Sequence, residues 1–429
     1  MGIRKKVIVV GAGARGRRYA ELAADMGEEF EIVGVAEPIT SRRLYLQDRC
    51  SIPAENCYDT WEPLLERPKF ADLVMICNMD RDHYAPVMKA IEKGYNILLE
   101  KPMGATAKEC AEITRAAEKA GVFVLVCHVL RFSAFFCALK KCIDDGMVGD
   151  IVHIQHAENV GHIHQSHSFV RGNWRNSKES TPMIVQKTCH DMDILQWLVG
   201  KDCSRVHSFG SLTYFTEKNA PEGSPNFCAD GCPIGETCYY NAVKLYLGEK
   251  KRSGIVQAAT GKLEPTSEEI MDALHCKTLG RCVFKCDNDV VDHQTVNLEF
   301  EGGVTASFSM CAFNEGEREI RIMGTKGEIR GNMGEDHLNF FDFADRTNKT
   351  ILIKNAVTDQ TIDGGHGGGD PGIISALCAV MNGDYSNISI CTIDQTYKNH
   401  LIAFAAEESR LTGKVVDIKE YERGLFNEK

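Results

Sequence analysis

The feature that most constrains the fold is a glycine-rich turn that directly follows a short run of branched apolar residues. Val7–Val10 is continuously apolar, and Gly11, Gly13 and Gly16 follow it before a helical pattern begins. A strand that is apolar on both faces is typical of a parallel sheet covered by helices. The next apolar segment ends at Glu37, about 20 residues after the last glycine. This arrangement predicts a strand–turn–helix–strand unit that binds a dinucleotide.

Each position of the turn has a physical role in this prediction. Gly11 permits the tight turn, Gly13 lets the backbone approach a pyrophosphate, and Gly16 permits close packing of the helix on the strand. The helix N-terminus offers free N–H groups and the positive end of its dipole to the phosphates. We therefore expect Ala14 and Arg15, which open the helix, to lie in the same site.

Glu37 is the residue from which we predict the choice between NAD and NADP. Its carboxylate would accept hydrogen bonds from the adenosine ribose and would repel a 2′-phosphate, which favours NAD. Arg42 and Arg43 complicate this prediction, because either guanidinium could pair with such a phosphate. The alternative interpretation is a glycine turn of an ordinary α/β protein followed by a solvated glutamate.

Composition and charge exclude several classes of protein. Apolar residues make up 43% and charged residues 25% of the chain, values that are ordinary for a globular protein. The net charge of −11 leaves no electrostatic footprint for a phosphate backbone, so we expect no nucleic-acid partner. We also expect no membrane span, since no apolar run reaches about 18 residues. The length of 429 residues predicts two or three domains.

The pattern of apolar residues predicts two successive architectures. Apolar runs that alternate with helical patterns predict a doubly wound parallel sheet in an α/β Rossmann domain over residues 1–128. After residue 128, the segments 150–160, 296–300 and 305–310 alternate apolar and polar positions. This predicts that residues 129–429 form an α+β domain with a large, mostly antiparallel sheet for substrate binding and oligomerisation. We expect helices at 184–199 and at 395–411, the latter packing back on the first domain.

Further motifs carry a resemblance to a known family. They occur in a fixed order along nearly the whole chain: a loop from Cys77 through Asn78 to His83, then Glu100-Lys101-Pro102, His128-Val129-Leu130-Arg131-Phe132, Gly149-Asp150-Ile151, and the stretch from His190 to Leu198. With the glycine turn, they resemble the glucose–fructose oxidoreductase/inositol dehydrogenase (Gfo/Idh/MocA) family. The resemblance implies that Asn78, His83, Glu100 and Lys101 face a nicotinamide cofactor.

The same resemblance implies a chemistry and the residues that perform it. The family transfers hydride between a secondary alcohol, usually of a sugar or cyclitol, and nicotinamide. Lys101 resembles the lysine that steadies the developing alkoxide, and His190 resembles the acid–base histidine. Lys187, His190, Asp191 and Ile194 share one stripe of the predicted helix, so Lys187 is a third catalytic candidate. Otherwise Lys187 belongs to a solvated helix face and His190 to the core.

One position departs from the inositol dehydrogenase type, which carries Asp four residues before the histidine. Here the residue is Gln186, which cannot act as a base. The proton path is therefore open: His190 works with Lys187 or with a carboxylate from elsewhere.

A histidine-rich stretch is the predicted substrate site. Polyhydroxylated substrates need many neutral donors and acceptors and an aromatic face. The candidates are Glu158, His162, His164, His167, Arg171 and Trp174, with His366 and Asp370 of a glycine-rich loop at the rim. The alternatives are a metal site, because the His-x-His spacing suits zinc or manganese, and histidines that point to solvent.

Cysteine is unusually frequent, with 18 residues. The chain starts without a signal-peptide pattern, so we expect a cytoplasmic protein with reduced, mostly buried thiols. Cys228, Cys232 and Cys238 form a denser cluster. Structural zinc is one interpretation of it, with Cys203, His207 or Cys286 as a fourth ligand. Redox-labile or disulfide pairing and unligated thiols are the others.

Three functions remain open at this point. The leading one is an NAD-dependent dehydrogenase of a sugar, glycoside or cyclitol ring hydroxyl, with C3 favoured. The second is a glycosidase in which bound NAD oxidises C3 transiently so that a glycosidic bond is eliminated. The third is a non-catalytic NAD-binding regulator. The family and fold also lead us to expect a homodimer or homotetramer.

Overall fold

The computed structural model describes residues 4–248, 257, 260–262, 264–356 and 366–426. Gly364 and Gly365 of the glycine-rich loop lie outside the described residues. The strands are β1 (Lys5–Val10), β2 (Phe30–Ala36), β3 (Cys57–Tyr58), β4 (Leu73–Ile76), β5 (Asn96–Leu99), β6 (Val124–Val126), β7 (Ile151–Asn159), β8 (Cys203–Ser211), β9 (His293–Phe300), β10 (Thr305–Cys311), β11 (Arg318–Gly324), β12 (Gly327–Asn332), β13 (His337–Asp342), β14 (Asn348–Leu352) and β15 (Val416–Asp417).

Helices cover both faces of the first sheet and one face of the second. They are α1 (Ala14–Asp25), α2 (Thr40–Cys50), α3 (Trp61–Glu66), α4 (Tyr84–Glu92), α5 (Ala107–Ala120), α6 (Ala134–Asp144), α7 (His162–His164), α8 (Met183–Gln186), α9 (Cys189–Val199), α10 (Ala242–Leu247), α11 (Ser267–Cys276), α12 (Ile353–Ala356), α13 (Gly369–Met381), α14 (Ile393–Thr412) and α15 (Ile418–Gly424). A π-helix over Gln165–Arg171 follows α7 directly. In the described part of the chain, none of these helices has the length and apolarity that a bilayer crossing requires.

The first sheet has six parallel strands in the order β3-β2-β1-β4-β5-β6. Strands β1, β4 and β5 are buried on both faces, which explains their continuous apolar sequence. The strand order reverses between β1 and β4, and ligands of open α/β sheets bind at the carboxyl ends of the strands at this switch point. The predicted doubly wound Rossmann sheet is confirmed.

The second sheet has nine strands in the order β14-β13-β12-β11-β7-β10-β9-β8-β15. Its pairs are antiparallel except for β7 and β10, which run in parallel. Burial alternates along β9 and β11, so one face packs on helices and the other stays open. The predicted α+β architecture is confirmed, with one parallel pair inside the sheet.

The prediction of one continuous helix over 184–199 is wrong. The structure has two helices, α8 and α9, with a break at Lys187 and Thr188. The Thr188 hydroxyl donates to the carbonyl of Ile184 at 3.2 Å, and such a local side-chain bond competes with the helical ladder. Lys187 therefore does not continue the helical stripe of His190.

The long helix α14 joins the two halves of the molecule. It packs against α5 and β6 of the first sheet and against α9 and β8 on the side of the second sheet. The His400 ring accepts a hydrogen bond of 3.0 Å from the backbone N–H of Met103, two residues after Lys101. The helix expected at 395–411 thus begins two residues earlier and contacts the first sheet.

Candidate active site

The glycine turn has the shape that a dinucleotide requires. Gly11 has a φ of +85°, and a Cβ there would lie 2.7 Å from the Asn78 nitrogen. A Cβ on Gly16 would lie 1.9 Å from the Gly11 carbonyl oxygen. By contrast, a Cβ on Gly13 would meet only a guanidinium nitrogen of Arg42, at 3.9 Å. The backbone at Gly13 is therefore open on the side where a pyrophosphate would approach the N-terminus of α1.

Glu37 is buried at the end of β2 and is tied to the same turn. Its carboxylate accepts hydrogen bonds from the N–H of Ala12 at 2.7 Å and of Ile39 at 3.0 Å. Arg43 donates to the Glu37 carbonyl and pairs with Asp59 at 2.6 Å. Arg43 is thus held by its ion pair with Asp59, whereas the Arg42 guanidinium lies over the glycine turn.

Arg15 connects the glycine turn to two acids. Its Nε lies 3.0 Å from Glu100, and its two terminal nitrogens bind Asp370 at 2.9 and 2.7 Å. Burial raises the pKa of the Glu100 carboxyl, but the charges of Arg15 and Lys101 outweigh it and the net pKa is lowered. The guanidinium that is predicted to face the cofactor therefore also binds the first turn of α13, in which Asp370 lies.

The glycine-rich loop brings a second histidine to this place. The His366 Nδ1 lies 2.9 Å from Asp370 Oδ1, and its ring centre is 6.4 Å from that of His190. Burial raises the pKa of Asp370, but the hydrogen bonds from His366 and Arg15 outweigh it and keep this pKa well below its usual range.

His83 and Asn78 lie in the loop after β4. The buried His83 ring bridges the carbonyl of Pro102 at 2.7 Å and the carbonyl of Asn78 at 3.1 Å, so it joins the two loops that carry Asn78 and Lys101. The Asn78 amide nitrogen donates to the Asp82 carbonyl at 2.7 Å. Its Oδ1 is buried and has no hydrogen-bond partner among the described residues.

Lys101 is half-buried, and its ammonium donates a hydrogen bond of 2.6 Å to the carbonyl of Gln186. The Gln186 side chain points elsewhere: it accepts from the Ser180 hydroxyl at 3.1 Å and donates to the Trp174 carbonyl at 2.9 Å. Gln186 thus anchors the segment 174–180, and its backbone orients the lysine. The missing carboxylate is replaced here by a carbonyl that holds the ammonium.

His190 lies in the first turn of α9 and is 7% exposed. Its Nδ1 is buried and has no hydrogen-bond partner in the described part of the chain. Burial, followed by the positive charges of Lys101, His128, Arg318 and His366, holds the pKa of His190 well below 6.5. The imidazole is therefore neutral at pH 7 and can accept a proton.

A charged network runs beside His190. Asp191 binds the ring of His156 at 2.8 Å and the guanidinium of Arg318 at 2.7 Å. The charge of Arg318 and these hydrogen bonds overcome the effect of burial and lower the pKa of Asp191. Arg318 also pairs with Glu158 at 2.7 Å, and Glu158 pairs with the Lys187 ammonium at 3.0 Å.

A cavity of about 390 Å³ opens at this network. Four of the predicted residues line it, namely Glu158, His162, His164 and Lys187, together with Arg318. The structure thus brings one catalytic candidate and three substrate candidates into one space.

His167 and Arg171 lie away from that cavity. The His167 ring is 2.9 Å from the hydroxyl of Tyr246. Arg171 is fully buried and donates at 2.6 Å to the carbonyls of Arg281 and Tyr240. Both residues hold a neighbouring part of the protein in place.

Trp174 lies beside a residue that the sequence reasoning missed. Its indole N–H donates to Asp80 at 3.3 Å, and Ser180 and Thr181 donate to the same carboxylate. Arg318 was also missed, although it opens the alternating strand β11. Pattern alone gives no sign that these charges converge on the site from distant parts of the chain.

The cysteine cluster does not have the geometry of a metal site. Cys228, Cys232 and Cys238 line a small closed cavity, but among the described residues they form no set of three ligand atoms within 4.8 Å. The structural zinc prediction therefore has no support. The group that does meet this distance is His128, Asp193 and Cys391, and both oxygens of its carboxylate bind the guanidinium of Arg131 at 2.8 Å.

Comparisons with known proteins agree with this architecture. A family model described as "Oxidoreductase family, NAD-binding Rossmann fold" matches residues 5–128, and its "C-terminal alpha/beta domain" matches residues 140–418. YteT of Bacillus subtilis (strain 168), which its name describes as an oxidoreductase, is 26% identical over 388 residues. That match covers 86% of this chain and 88% of YteT.

Two further proteins are similar over different lengths. The 2,7-anhydro-N-acetylneuraminate hydratase of Mediterraneibacter gnavus is 28% identical over 194 residues, 45% of this chain and 48% of the hydratase. The structure of levoglucosan dehydrogenase with NADH and levoglucosan has a TM-score of 0.67 at 19% identity, covering 97% of this chain and 100% of that one. The family models match most of the sequence. The chain therefore belongs to the Gfo/Idh/MocA family of NAD-binding oxidoreductases.

Proposed function

We propose that this protein oxidises a secondary ring hydroxyl of a sugar, glycoside or cyclitol with NAD, with C3 as the favoured carbon. The observation that carries the proposal is the position of the buried His190 imidazole, one helical turn after Gln186, whose carbonyl holds the Lys101 ammonium. Alcohol oxidation needs a base for the hydroxyl proton and a cation that stabilises the alkoxide as it forms. These two side chains supply both groups.

Each group has a defined task in this reaction. His190 accepts the hydroxyl proton, because its lowered pKa leaves the ring neutral at pH 7. Lys101 is oriented by the carbonyl of Gln186 and donates a hydrogen bond to the alkoxide oxygen. Bound NAD supplies the acceptor for the hydride that leaves the carbon.

The residues that would hold the cofactor lie around the switch point of the first sheet. The open backbone at Gly13 and the N-terminus of α1 suit the pyrophosphate, and Glu37 lies at the position for the ribose. The unpartnered Oδ1 of Asn78 adds an acceptor. We propose NAD rather than NADP because the Glu37 carboxylate would repel a 2′-phosphate.

The cavity at Lys187 is the proposed substrate site. Lys187 and Arg318 both pair with Glu158, so charges of opposite sign alternate along the wall. Such a wall offers donors and acceptors without a large uncompensated charge, which suits the hydroxyl groups of a neutral ring. His162 and His164 add further polar groups to the lining of the cavity. The similarity to levoglucosan dehydrogenase supports a carbohydrate as the substrate class.

A second function has one specific observation in its favour. One relative is named a hydratase, and adding water to a substrate involves no net oxidation. The same two side chains could support transient oxidation at C3, elimination and return of the hydride. That enzyme would convert a substrate without releasing NADH.

The two functions are separated by measuring cofactor and product together. We would incubate the protein with NAD and methyl glucosides, levoglucosan or myo-inositol, and follow NADH absorbance and products by mass spectrometry. The proposal predicts equal amounts of NADH and a ketone. Cleavage or hydration without NADH would establish the second function, and NAD binding without any conversion would favour a regulator.

We also propose that the chain forms a homodimer or homotetramer through the open face of the nine-stranded sheet. That face carries a shallow cavity of about 720 Å³ lined by residues of β7, β9, β10 and β11. Light scattering during size-exclusion chromatography tests this directly, and a monomer would contradict it.

A further inference from the structure

A long excursion separates two strands that are neighbours in the sheet. Strands β8 and β9 pair along their length, with Ser211 opposite His293. Antiparallel neighbours can be joined by two residues, yet here residues 212–292, which we name the insertion, lie between them. The insertion has a hydrophobic core of its own, formed by Ala242, Tyr246, Ile270, Leu274 and Leu279.

A second apolar cluster joins the insertion to the histidine-rich stretch. It contains Val170 of the π-helix packed with Phe215, Tyr240, Cys282, Val283 and Phe284 of the insertion. Val170 is fully buried. Among the described residues that form the buried core of this cluster, it is the one that lies outside the insertion. The π-helix is therefore packed into the insertion by its apolar side chain.

Polar contacts fix the same segment. Arg171 donates to the carbonyls of Arg281 and Tyr240, both in the insertion, at 2.6 Å. Its Nη2 also lies 3.6 Å from the Sγ of Cys228, and in the described part of the chain its buried Nη1 has no hydrogen-bond partner. Burying a cation is costly, and its hydrogen bonds to these carbonyls compensate part of the cost and tie the segment to the insertion. His167 adds a contact of 2.9 Å to the hydroxyl of Tyr246.

The anchored segment has an unusual backbone conformation. Residues Gln165–Arg171 form a seven-residue π-helix, and π-helices are rare and occur mostly as single turns at functional sites. The amide of Gln165 is fully buried, and neither its oxygen nor its nitrogen has a partner among the described residues. Contacts from outside must therefore stabilise this segment, and the insertion provides them.

The N-terminal end of the π-helix connects it to the proposed substrate cavity. The π-helix continues directly from α7, whose His162 and His164 line the same cavity as Lys187. The ring of His162 also lies 5.7 Å from that of Tyr240, so the insertion reaches the edge of the cavity. Movement of the π-helix would move these two histidines relative to the catalytic groups.

We propose that the insertion determines substrate specificity by holding the π-helix, with Tyr246 and Arg171 as positioning residues for His162 and His164. The inference deepens the proposed function and rests on it for the identity of the reaction. It assigns substrate selection to the insertion, while cofactor binding depends on the first sheet.

The variant Tyr246→Phe tests the proposal, because it removes the hydroxyl bound to His167 and leaves the ring in its core. The probe is whichever of methyl glucoside, levoglucosan and myo-inositol the protein converts. We expect the KM for this probe to rise about five-fold, because one hydrogen bond is lost. The kcat and the KM for NAD should change less than about two-fold. The matched control is Tyr239→Phe, a tyrosine of the insertion that is 78% exposed, which should change none of these constants.

Amide hydrogen exchange provides a readout that needs no substrate. In Tyr246→Phe, residues 162–171 should exchange faster than in the parent protein, while the first sheet and Tyr239→Phe stay unchanged. Unchanged exchange at 162–171 would overturn the anchoring, and faster exchange with an unchanged substrate KM would overturn the specificity role. If no probe is turned over, the proposed function fails, whereas the exchange result still decides whether the insertion holds the π-helix.

Discussion

Lys101 donates a hydrogen bond of 2.6 Å from its ammonium to the backbone carbonyl of Gln186. In a continuous α-helix that carbonyl would accept from the N–H of His190, four residues on. The break between α8 and α9 therefore gives the lysine a fixed partner one turn before the histidine. The catalytic pair is positioned by backbone geometry as well as by side chains.

Replacing Lys101 tests its role as the cation of the reaction. Lys101→Met removes the charge but keeps much of the length, and we expect kcat to fall about 100-fold or more with NAD binding retained. Lys89→Met, at a partly exposed lysine that pairs with Glu92, is the control and should keep full activity. Steady-state kinetics and NAD titration measure both, and undiminished turnover by Lys101→Met would refute the assignment.

The pH profile tests His190. Its folded pKa is lowered by burial and then by the charge of Lys101, so the neutral, proton-accepting form persists below pH 6.5. Oxidation should therefore lose rate only as the pH falls through this lowered pKa. His366→Gln removes one of the groups that lower this pKa and should move the acidic limb of kcat/KM to higher pH. An acidic limb at or above pH 6.5 in the parent protein would contradict this account.

A double-mutant cycle tests the link between the glycine turn and α13. Arg15→Met and Asp370→Asn each break the ion pair of 2.7 Å, and we expect a coupling free energy of about 1 kcal/mol in urea unfolding. The value is modest because the Arg15 side chain is 31% exposed. The control cycle, Arg49→Met with Asp25→Asn, removes an exposed pair and should show coupling near zero. Additive effects of the Arg15 and Asp370 changes would rule out the link.

Glu37 is expected to decide between the two cofactors. Glu37→Ser removes the carboxylate but leaves Arg42 over the glycine turn, so kcat/KM with NADP should rise and that with NAD should fall. We expect the ratio of kcat/KM with NADP to kcat/KM with NAD to rise about ten-fold. The variant also loses the hydrogen bonds that the Glu37 carboxylate accepts from the N–H groups of Ala12 and Ile39. Kinetics with each cofactor measure the ratio, and an unchanged preference would disprove the role of Glu37.

The first sheet was predictable because its signals are local. The apolar run at Val7–Val10, the glycine turn and the acid at Glu37 lie within one strand–helix–strand unit. The break after Gln186 was not predictable, because its cause is a lysine distant in sequence and a local threonine bond. The nine-strand order depends likewise on pairing between distant segments.

The site was predictable only in part, for a similar reason. Lys101, His190 and Glu158 stand in recognisable patterns, but the ion pairs of Arg318 with Asp191 and Glu158 depend on the register of β7 and β11. The residue type of Arg171 suggested a sugar ligand. Only the tertiary packing shows that this side chain is buried against the insertion. Residue type gives chemistry, whereas the direction of a side chain comes from the tertiary fold.

The most direct measurement of the central claim is the transfer of deuterium from a ring carbon to the cofactor. A turned-over substrate labelled with deuterium at C3 would be incubated with NAD, and the reduced cofactor and product would be analysed by mass spectrometry. The account predicts deuterated NADH and a 3-ketone in equal amounts, with both abolished in His190→Asn. Conversion of the substrate with no deuterium in free NADH would contradict it.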